Sequence, residues 1–371
     1  MRQPLPDYPW DAMEPYAATA AQHPEGALNL SVGSPVDPTP ASVRDALTAA
    51  TDAHAYPATA GTGELRAAIS EWFARRRGVS VEPSGVLPTV GSKELVALLP
   101  FLLGIGAGEA VVFPRIAYPS YAMGAALVGA DAVASDVPAE WPEHTKLVWI
   151  NSPGNPDGRV LDVAALRAAV TRARELGAVI AGDECYAEFG WDAPWDAERI
   201  PSILDPRVVG DDHTDVLSVY SLSKQSNLAG YRAAFIAGDP DLISRLLTVR
   251  KHAGLMLPAP VQAAMTAALR DEEHVAAQRE RYRARRAVLR PALEAAGFRI
   301  EGSEAGLYLW ATRGEDAWDA VAEFAALGIV VGPGHFYGSH SPQHVRLALT
   351  ASDADISAAA NRIRAAATRA A

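Results

Sequence analysis

Lys224 stands directly after the apolar run Val216 to Tyr220, in the string Ser221-Leu222-Ser223-Lys224, with Gly230-Tyr231-Arg232 close behind. A lysine just past a buried strand is desolvated, which lowers its pKa and frees its amine to form a Schiff base. The neighbouring hydroxyls and Arg232 are the groups that a phosphate dianion needs. Taken alone, the string reads better as a surface lysine in a loop. Composition reverses that preference: of 33 basic residues only Lys93, Lys146, Lys224 and Lys251 are lysines. A chain that uses arginine wherever it needs only positive charge keeps lysine for work that needs an amine.

Four other strings carry chemistry. In Ala181-Gly182-Asp183-Glu184-Cys185-Tyr186 an aspartate ends a buried strand, which is costly unless it is paired. A protonated ring nitrogen would pair with Asp183, and Tyr186 would donate to a ring hydroxyl; the alternative is a structural cap. Asn151 to Gly158 is a rigid turn that aims Asn155 at the same hydroxyl, although Asn-Pro and Asp-Gly are ordinary turn dipeptides. Gly91-Ser92-Lys93 opens a helix, where free N–H groups and a hydroxyl cradle phosphate, or where Ser92 is a plain N-cap. Val345-Arg346-Leu347 places an arginine inside an apolar strand, where it needs an anion: a substrate carboxylate or an internal salt bridge. The tight loop Gly332 to Gly338 lies just before it, and its His335 reads as solvated rather than catalytic.

These strings sit on elements of two textures. Helical spacing runs from Ser42 to Ala53 and from Glu64 to Arg77, the second with Leu65, Ile69, Trp72 and Phe73 on one face and Gly78 as its stop. Ala110 to Pro114, Lys146 to Ile150, Ala178 to Ala181 and Val216 to Tyr220 read as buried strands, beside helices such as Leu161 to Leu176. The polar clusters follow strand ends, where ligands bind in open α/β sheets. Beyond Pro260 come a long arginine-rich helix, Glu273 to Ala296 with Pro291 as a kink, and strands at Gly306 to Ala311, Ile329 to Val331 and Val345 to Leu349, then a closing helix. The expected organisation is an N-terminal arm (1–41) joining the small domain, a large domain (42–260) and a smaller α+β domain (261–371). The first forty residues read as extended, and the arginines from Arg279 to Arg290 as a solvated face.

Bulk properties exclude several functions. A net charge of -11 argues against nucleic acid as a partner. Cys185 is the single cysteine, so no internal disulfide and no multi-cysteine metal site forms; a reducing cytoplasm suits it. No apolar run is long enough for a bilayer span, and the N-terminus lacks the apolar core of a signal peptide.

In this order, the strings resemble the fold-type I, class I/II aminotransferases, from about Gly33 to Arg346. The resemblance implies an α/β fold with a mostly parallel central sheet and pyridoxal 5′-phosphate (PLP) bound to Lys224. It implies Asp183 on the ring nitrogen, Tyr186 and Asn155 on the ring hydroxyl, and Ser221, Arg232 and the Gly91-Ser92-Lys93 turn on the phosphate. Tyr118 matches the aromatic residue stacked on the ring. Tyr56 matches a tyrosine that crosses a dimer interface to the neighbouring phosphate, which implies a homodimer with shared sites. Arg346 and Gly33 match the contacts to the substrate α-carboxylate.

Asp183-Glu184-Cys185-Tyr186, Ser221 to Tyr231, and Arg250 to Gly254 with Pro258 to Gln262 are similar to actinobacterial succinyldiaminopimelate aminotransferases. That implies amino transfer between N-succinyl-LL-2,6-diaminopimelate and 2-oxoglutarate, in lysine and diaminopimelate biosynthesis. Asp157 and Ala234 depart from the family pattern. Arg115, Arg250 and Lys93 are candidates for a distal carboxylate or succinyl group. The rival readings are an aminotransferase for aspartate, alanine or an aromatic amino acid, a C–S β-lyase on the same scaffold, and a PLP-binding regulator. The last would need a DNA-binding domain ahead of the match, where only about forty residues stand.

Overall fold

The computed structural model describes Leu5 and residues 7–370; the remaining tip of the expected arm lies outside the described residues. Apolar runs form a seven-stranded sheet: β1 (Val86–Val90), β2 (Ala110–Phe113), β3 (Asp131–Ala134), β4 (Thr145–Asn151), β5 (Val179–Asp183), β6 (Val216–Ser221) and β7 (Ala233–Gly238). Its order is β1-β7-β6-β5-β4-β2-β3, and β7 alone runs antiparallel to its neighbours. Every residue of β2, β6 and β7 is buried, because helices cover both faces. Sequence periodicity finds β2, β4, β5 and β6 but misses the other three. Pro88 interrupts β1, which sits at an edge where a missing N–H is tolerated; β3 is an exposed edge; and β7 (Ala-Ala-Phe-Ile-Ala-Gly) has little β propensity.

A second core gathers Met13, Ala20, Leu28 and Leu30 with residues from Tyr282 to Ile363. Its antiparallel sheet runs in the order Gly332–Pro333, His344–Ala348, Tyr308–Thr312, Arg299–Ile300. Leu28–Asn29 pairs in parallel with Ile329–Val330, which ties the arm to this core.

The structure adds to or departs from the sequence reading at four places. The arm is not extended throughout: Glu14–Ala21 is helical, favoured by Pro15 in its first turn and the alanines that follow. Helix Ala259–Arg270 straddles the expected boundary at 260, and its Ala264, Met265, Ala268 and Leu269 pack in the large core. Glu273–Ala295 continues helical through Pro291. Its arginines are not all solvated: Arg285 is 3% exposed and donates to Asp37 and Asp353, both at 2.6 Å, clamping the arm between two helices.

Candidate active site

The carboxyl ends of β1, β4, β5 and β6 open into a cavity of about 440 Å³ that side chains of both cores line. At the end of β6 the Ser221 hydroxyl caps the short helix Leu222–Gln225, accepting from the Ser223 amide at 3.2 Å. That turn points Lys224 inward, where its Nζ donates to the Gly33 carbonyl. Burial lowers the Lys224 pKa, as a nucleophilic amine requires.

Asp183 closes β5 and is 8% exposed. Its Oδ2 accepts from the Tyr121 hydroxyl at 2.9 Å and its Oδ1 from the Cys185 amide at 3.2 Å. No cation among the described residues offsets its charge, and burial pushes the carboxyl above its ordinary range. Tyr121 was not foreseen, although it follows Tyr118 by three residues, in the first turn of the helix Ser120–Val128.

Arg346 is 2% exposed, and none of the ion pairs among the described residues includes it, which removes the internal salt bridge as an explanation. Its Nη1 donates to Asn155 Oδ1 at 2.9 Å, its Nη2 donates to the Ser31 carbonyl, and its Nε has no partner. The Tyr308 ring lies 4.1 Å from the guanidinium carbon. The Tyr308 hydroxyl is 3.1 Å from that of Tyr186, whose own pKa burial pushes far up. Gly33 admits this arrangement: a Cβ there would lie 2.1 Å from the Tyr308 hydroxyl. The sequence did not reveal Tyr308, because its relation to Arg346 is set by register. Tyr308 pairs with Ala348 and Trp310 with Arg346, so Tyr308 and Arg346 are diagonal neighbours on one face.

At the opposite end, Gly91 has φ +78°, and a Cβ there would meet Arg232 Nη2 at 2.1 Å. Arg232 has a left-handed backbone (φ 57°) and bonds only to the Ala229 carbonyl, at 2.9 Å, with no carboxylate partner among the described residues. Ser92, Ser221 and Ser223 line the same end. Tyr118 lines the cavity and stands edge-on to Tyr121.

Five residues singled out in the sequence are placed differently from the rest. The Lys93 ammonium lies over the Tyr8 and Tyr118 rings, 5.3 and 5.6 Å from their centroids, where a second cavity begins. Tyr56 is 95% exposed and outside the cavity. Arg250 is fully buried against Glu94 at 2.9 Å, so it serves the large core rather than a distal substrate group. Arg115 is paired with Glu140 at 2.9 Å, and His335 stacks on Trp318 away from the chemistry.

The charges left without internal partners fit PLP. Asp183 lacks a cation, which a protonated pyridine nitrogen would supply. Arg232 lacks an anion, which a phosphate beside the Gly91-Ser92 helix start would supply. Lys224 lines the same cavity as an amine of lowered pKa. Among the described residues no group of His, Cys, Asp and Glu could hold a metal ion, and no helix is long and apolar enough to cross a membrane.

Comparison with known proteins agrees. The model of the family "Aminotransferase class I and II" matches residues 25–363. The 4-dedimethylamino-4-oxo-anhydrotetracycline transaminase OxyQ of Streptomyces rimosus is 57% identical over 97% of this chain and 99% of that protein. An LL-diaminopimelate aminotransferase of Desulforudis audaxviator is 31% identical over 97% of this chain and 95% of that one. The solved N-succinyldiaminopimelate aminotransferase of Mycobacterium tuberculosis superposes with a TM-score of 0.84 at 25% identity, covering 95% of this chain and 96% of that one. The fold is that of fold-type I aminotransferases, whose members use PLP. The chain belongs to the class I and II aminotransferases.

Proposed function

We propose that this aminotransferase moves an amino group from an α-amino acid to a 2-oxo acid with Lys224 as its reactive amine. The observation that supports it most is the buried Arg346, free of any carboxylate partner among the described residues, in the cavity that also holds the Lys224 amine. When bound, PLP supplies an electron sink for charge developing at the substrate Cα.

The chain's own residues supply the rest. Arg346 and Asn155 hold the substrate α-carboxylate beside Gly33, fixing which Cα bond faces the amine. Lys224, when not bonded to the cofactor, would remove the Cα proton as general base, which its lowered pKa permits. Asp183, held by Tyr121, keeps negative charge at the ring nitrogen. Tyr186 and Asn155 orient the ring hydroxyl and Tyr118 covers the ring face. Arg232, Ser221 and the backbone of the Gly91-Ser92-Lys93 turn hold the phosphate, while the Lys93 side chain points away toward the Tyr8 and Tyr118 rings. Tyr56, exposed in one protomer, reaches the phosphate of a second copy, so the working unit is a homodimer.

For substrate, we assign N-succinyl-LL-2,6-diaminopimelate with 2-oxoglutarate. The adjoining cavity of about 460 Å³, with Lys93 at its junction, supports a long acidic substrate, as does likeness to two diaminopimelate-type aminotransferases. A second reading, an oxo group on a fused ring system, is favoured by the aromatic walls Tyr8, Trp10, Phe113 and Phe336 and by similarity to OxyQ. The deciding experiment gives purified enzyme glutamate and a panel of oxo acceptors. N-succinyl-2-amino-6-oxopimelate should turn over fastest. Much faster turnover of oxaloacetate, an aromatic oxo acid or an oxo-anhydrotetracycline would overturn the assignment. Release of pyruvate and ammonia from a β-thio amino acid in preference to transfer would make it a lyase.

A further inference from the structure

We propose that the second cavity is a tail subsite, which takes the far end of the substrate as an apolar chain ending in a carboxylate, with Lys93 as anion receptor. This rests on the amino-transfer reading above. The two cavities share Tyr8, Trp10, Lys93 and Tyr118, so a molecule seated at Arg346 and Lys224 has a continuous way onward. The second space, at about 460 Å³, matches the reaction cavity in size. That far exceeds the needs of an alanine or aspartate side chain, and it falls within the range of ordinary ligand pockets.

Its lining selects the chemistry. Phe113, Ala117, Ala122, Met123 and Phe336 offer apolar wall to methylene groups. Two cations line it, and they differ in availability. Arg115 is already paired with Glu140. Lys93 forms no ion pair with a carboxylate among the described residues and lies over two ring faces. Cation–π contact orients an ammonium without supplying a counter-charge, so Lys93 stays available to an incoming anion. The carboxylate in the lining, Asp7, lies on the exposed N-terminal segment at the rim.

That segment forms the outer wall. Tyr8 stacks on Trp10 at 5.6 Å, and Trp10 packs on Phe336 at 5.1 Å, joining residues 8–10 to the small-core loop. Tyr8 and Trp10 therefore bound the subsite and steady Lys93 within it.

The test compares kcat/KM for alanine, for long amino acids ending in a carboxylate, and for the same acids ending in a primary amide. Wild-type enzyme should prefer the terminal acid over its amide by roughly 10- to 100-fold, the value of one charge-assisted hydrogen bond. Lys93→Met should erase that preference, with the change in KM rather than kcat, while Lys93→Arg retains most of it. Ala122→Phe, which fills the cavity, should lower kcat/KM for long donors relative to alanine. Unchanged acid-over-amide preference in Lys93→Met, or equal loss for all donors in Ala122→Phe, would overturn the subsite and leave amino transfer standing. Wild-type enzyme inert toward every donor would instead remove the amino-transfer reading, and the subsite with it.

Discussion

Replacing Asp183 with asparagine should make the cofactor-free protein more stable while crippling the enzyme. The carboxylate is 8% exposed, accepts two hydrogen bonds and has no cation beside it among the described residues. Taking such a charge out of water costs several kcal/mol, and the two donors return only part of that. Asparagine has nearly the same shape and no charge. Its amide nitrogen would face one of the two donors and lose that bond, a loss of about 1 kcal/mol. The balance favours the variant by about 1–2 kcal/mol near pH 8, a rise of a few degrees in Tm.

The pH dependence of that gain has a definite sign. Burial raises the Asp183 carboxyl above its ordinary 3.8, so the folded protein holds this proton longer than the unfolded chain. The group's contribution to stability is therefore greatest in acid and falls as pH rises through the raised value. The advantage of Asp183→Asn should vanish near pH 4 and grow toward neutrality. With PLP added the order should reverse, because wild-type enzyme gains the ring-nitrogen partner and the variant does not. Thermal melts of both proteins at pH 4, 6 and 8, with and without PLP, read all of this. Transamination in the variant should fall on the order of 10²–10³-fold. A cofactor-free variant less stable than wild type at pH 8 would refute the claim that this charge is uncompensated.

Further substitutions probe the rest of the cavity. Lys224→Ala should abolish both the visible absorbance of lysine-bound cofactor and multiple-turnover transamination; retention of both would sink the central assignment. Gly33→Ala should cost about 1–3 kcal/mol of stability and raise donor KM, since its Cβ would lie 2.1 Å from the Tyr308 hydroxyl. Adding Tyr308→Phe should recover part of that loss, and a strictly additive double variant would show that the contact is not the cause. Arg346→Gln should raise KM for both amino acid and oxo acid by about 2–3 kcal/mol equivalent, with retained PLP absorbance; an unchanged KM would place the carboxylate elsewhere.

The sequence was legible where one residue's chemistry conflicts with its surroundings. A lysine after an apolar strand, an aspartate ending one and an arginine inside one each announce a desolvated charge, and all three line one cavity. Residues that stabilise those charges announce nothing. Tyr121 and Tyr308 are ordinary core aromatics in the linear pattern, and only strand register and helix packing bring their hydroxyls to Asp183 and Tyr186. The same limit explains Arg250. A buried arginine meets Glu94, 156 positions away, through a helix contact that no local spacing encodes. The missed strands β1 and β7 fail for a different reason. Their place at one side of the sheet is decided by tertiary pairing, against local composition.

The N-terminal arm does more than cover the site. Ser31 offers its carbonyl to Arg346, and Gly33 offers its carbonyl to Lys224 while leaving room for Tyr308. One short stretch thus touches the arginine of the small core and the lysine of the large one. Arg346 in turn donates to Asn155 on the loop after β4, and Tyr308 meets Tyr186 after β5. A substrate carboxylate bound at Arg346 and Asn155, as proposed, would bridge two cores that already share these contacts, so its binding energy would bear directly on their relative position. On the roles proposed above, the arm would carry that energy to the amine: Arg346 holds the Ser31 carbonyl, and two residues later Gly33 holds the carbonyl that Lys224 would leave to act as a base. If those roles hold, carboxylate binding and release of the lysine are coupled through residues 31–33, and substitutions there should alter kcat and KM together; a change in one alone would refute the coupling.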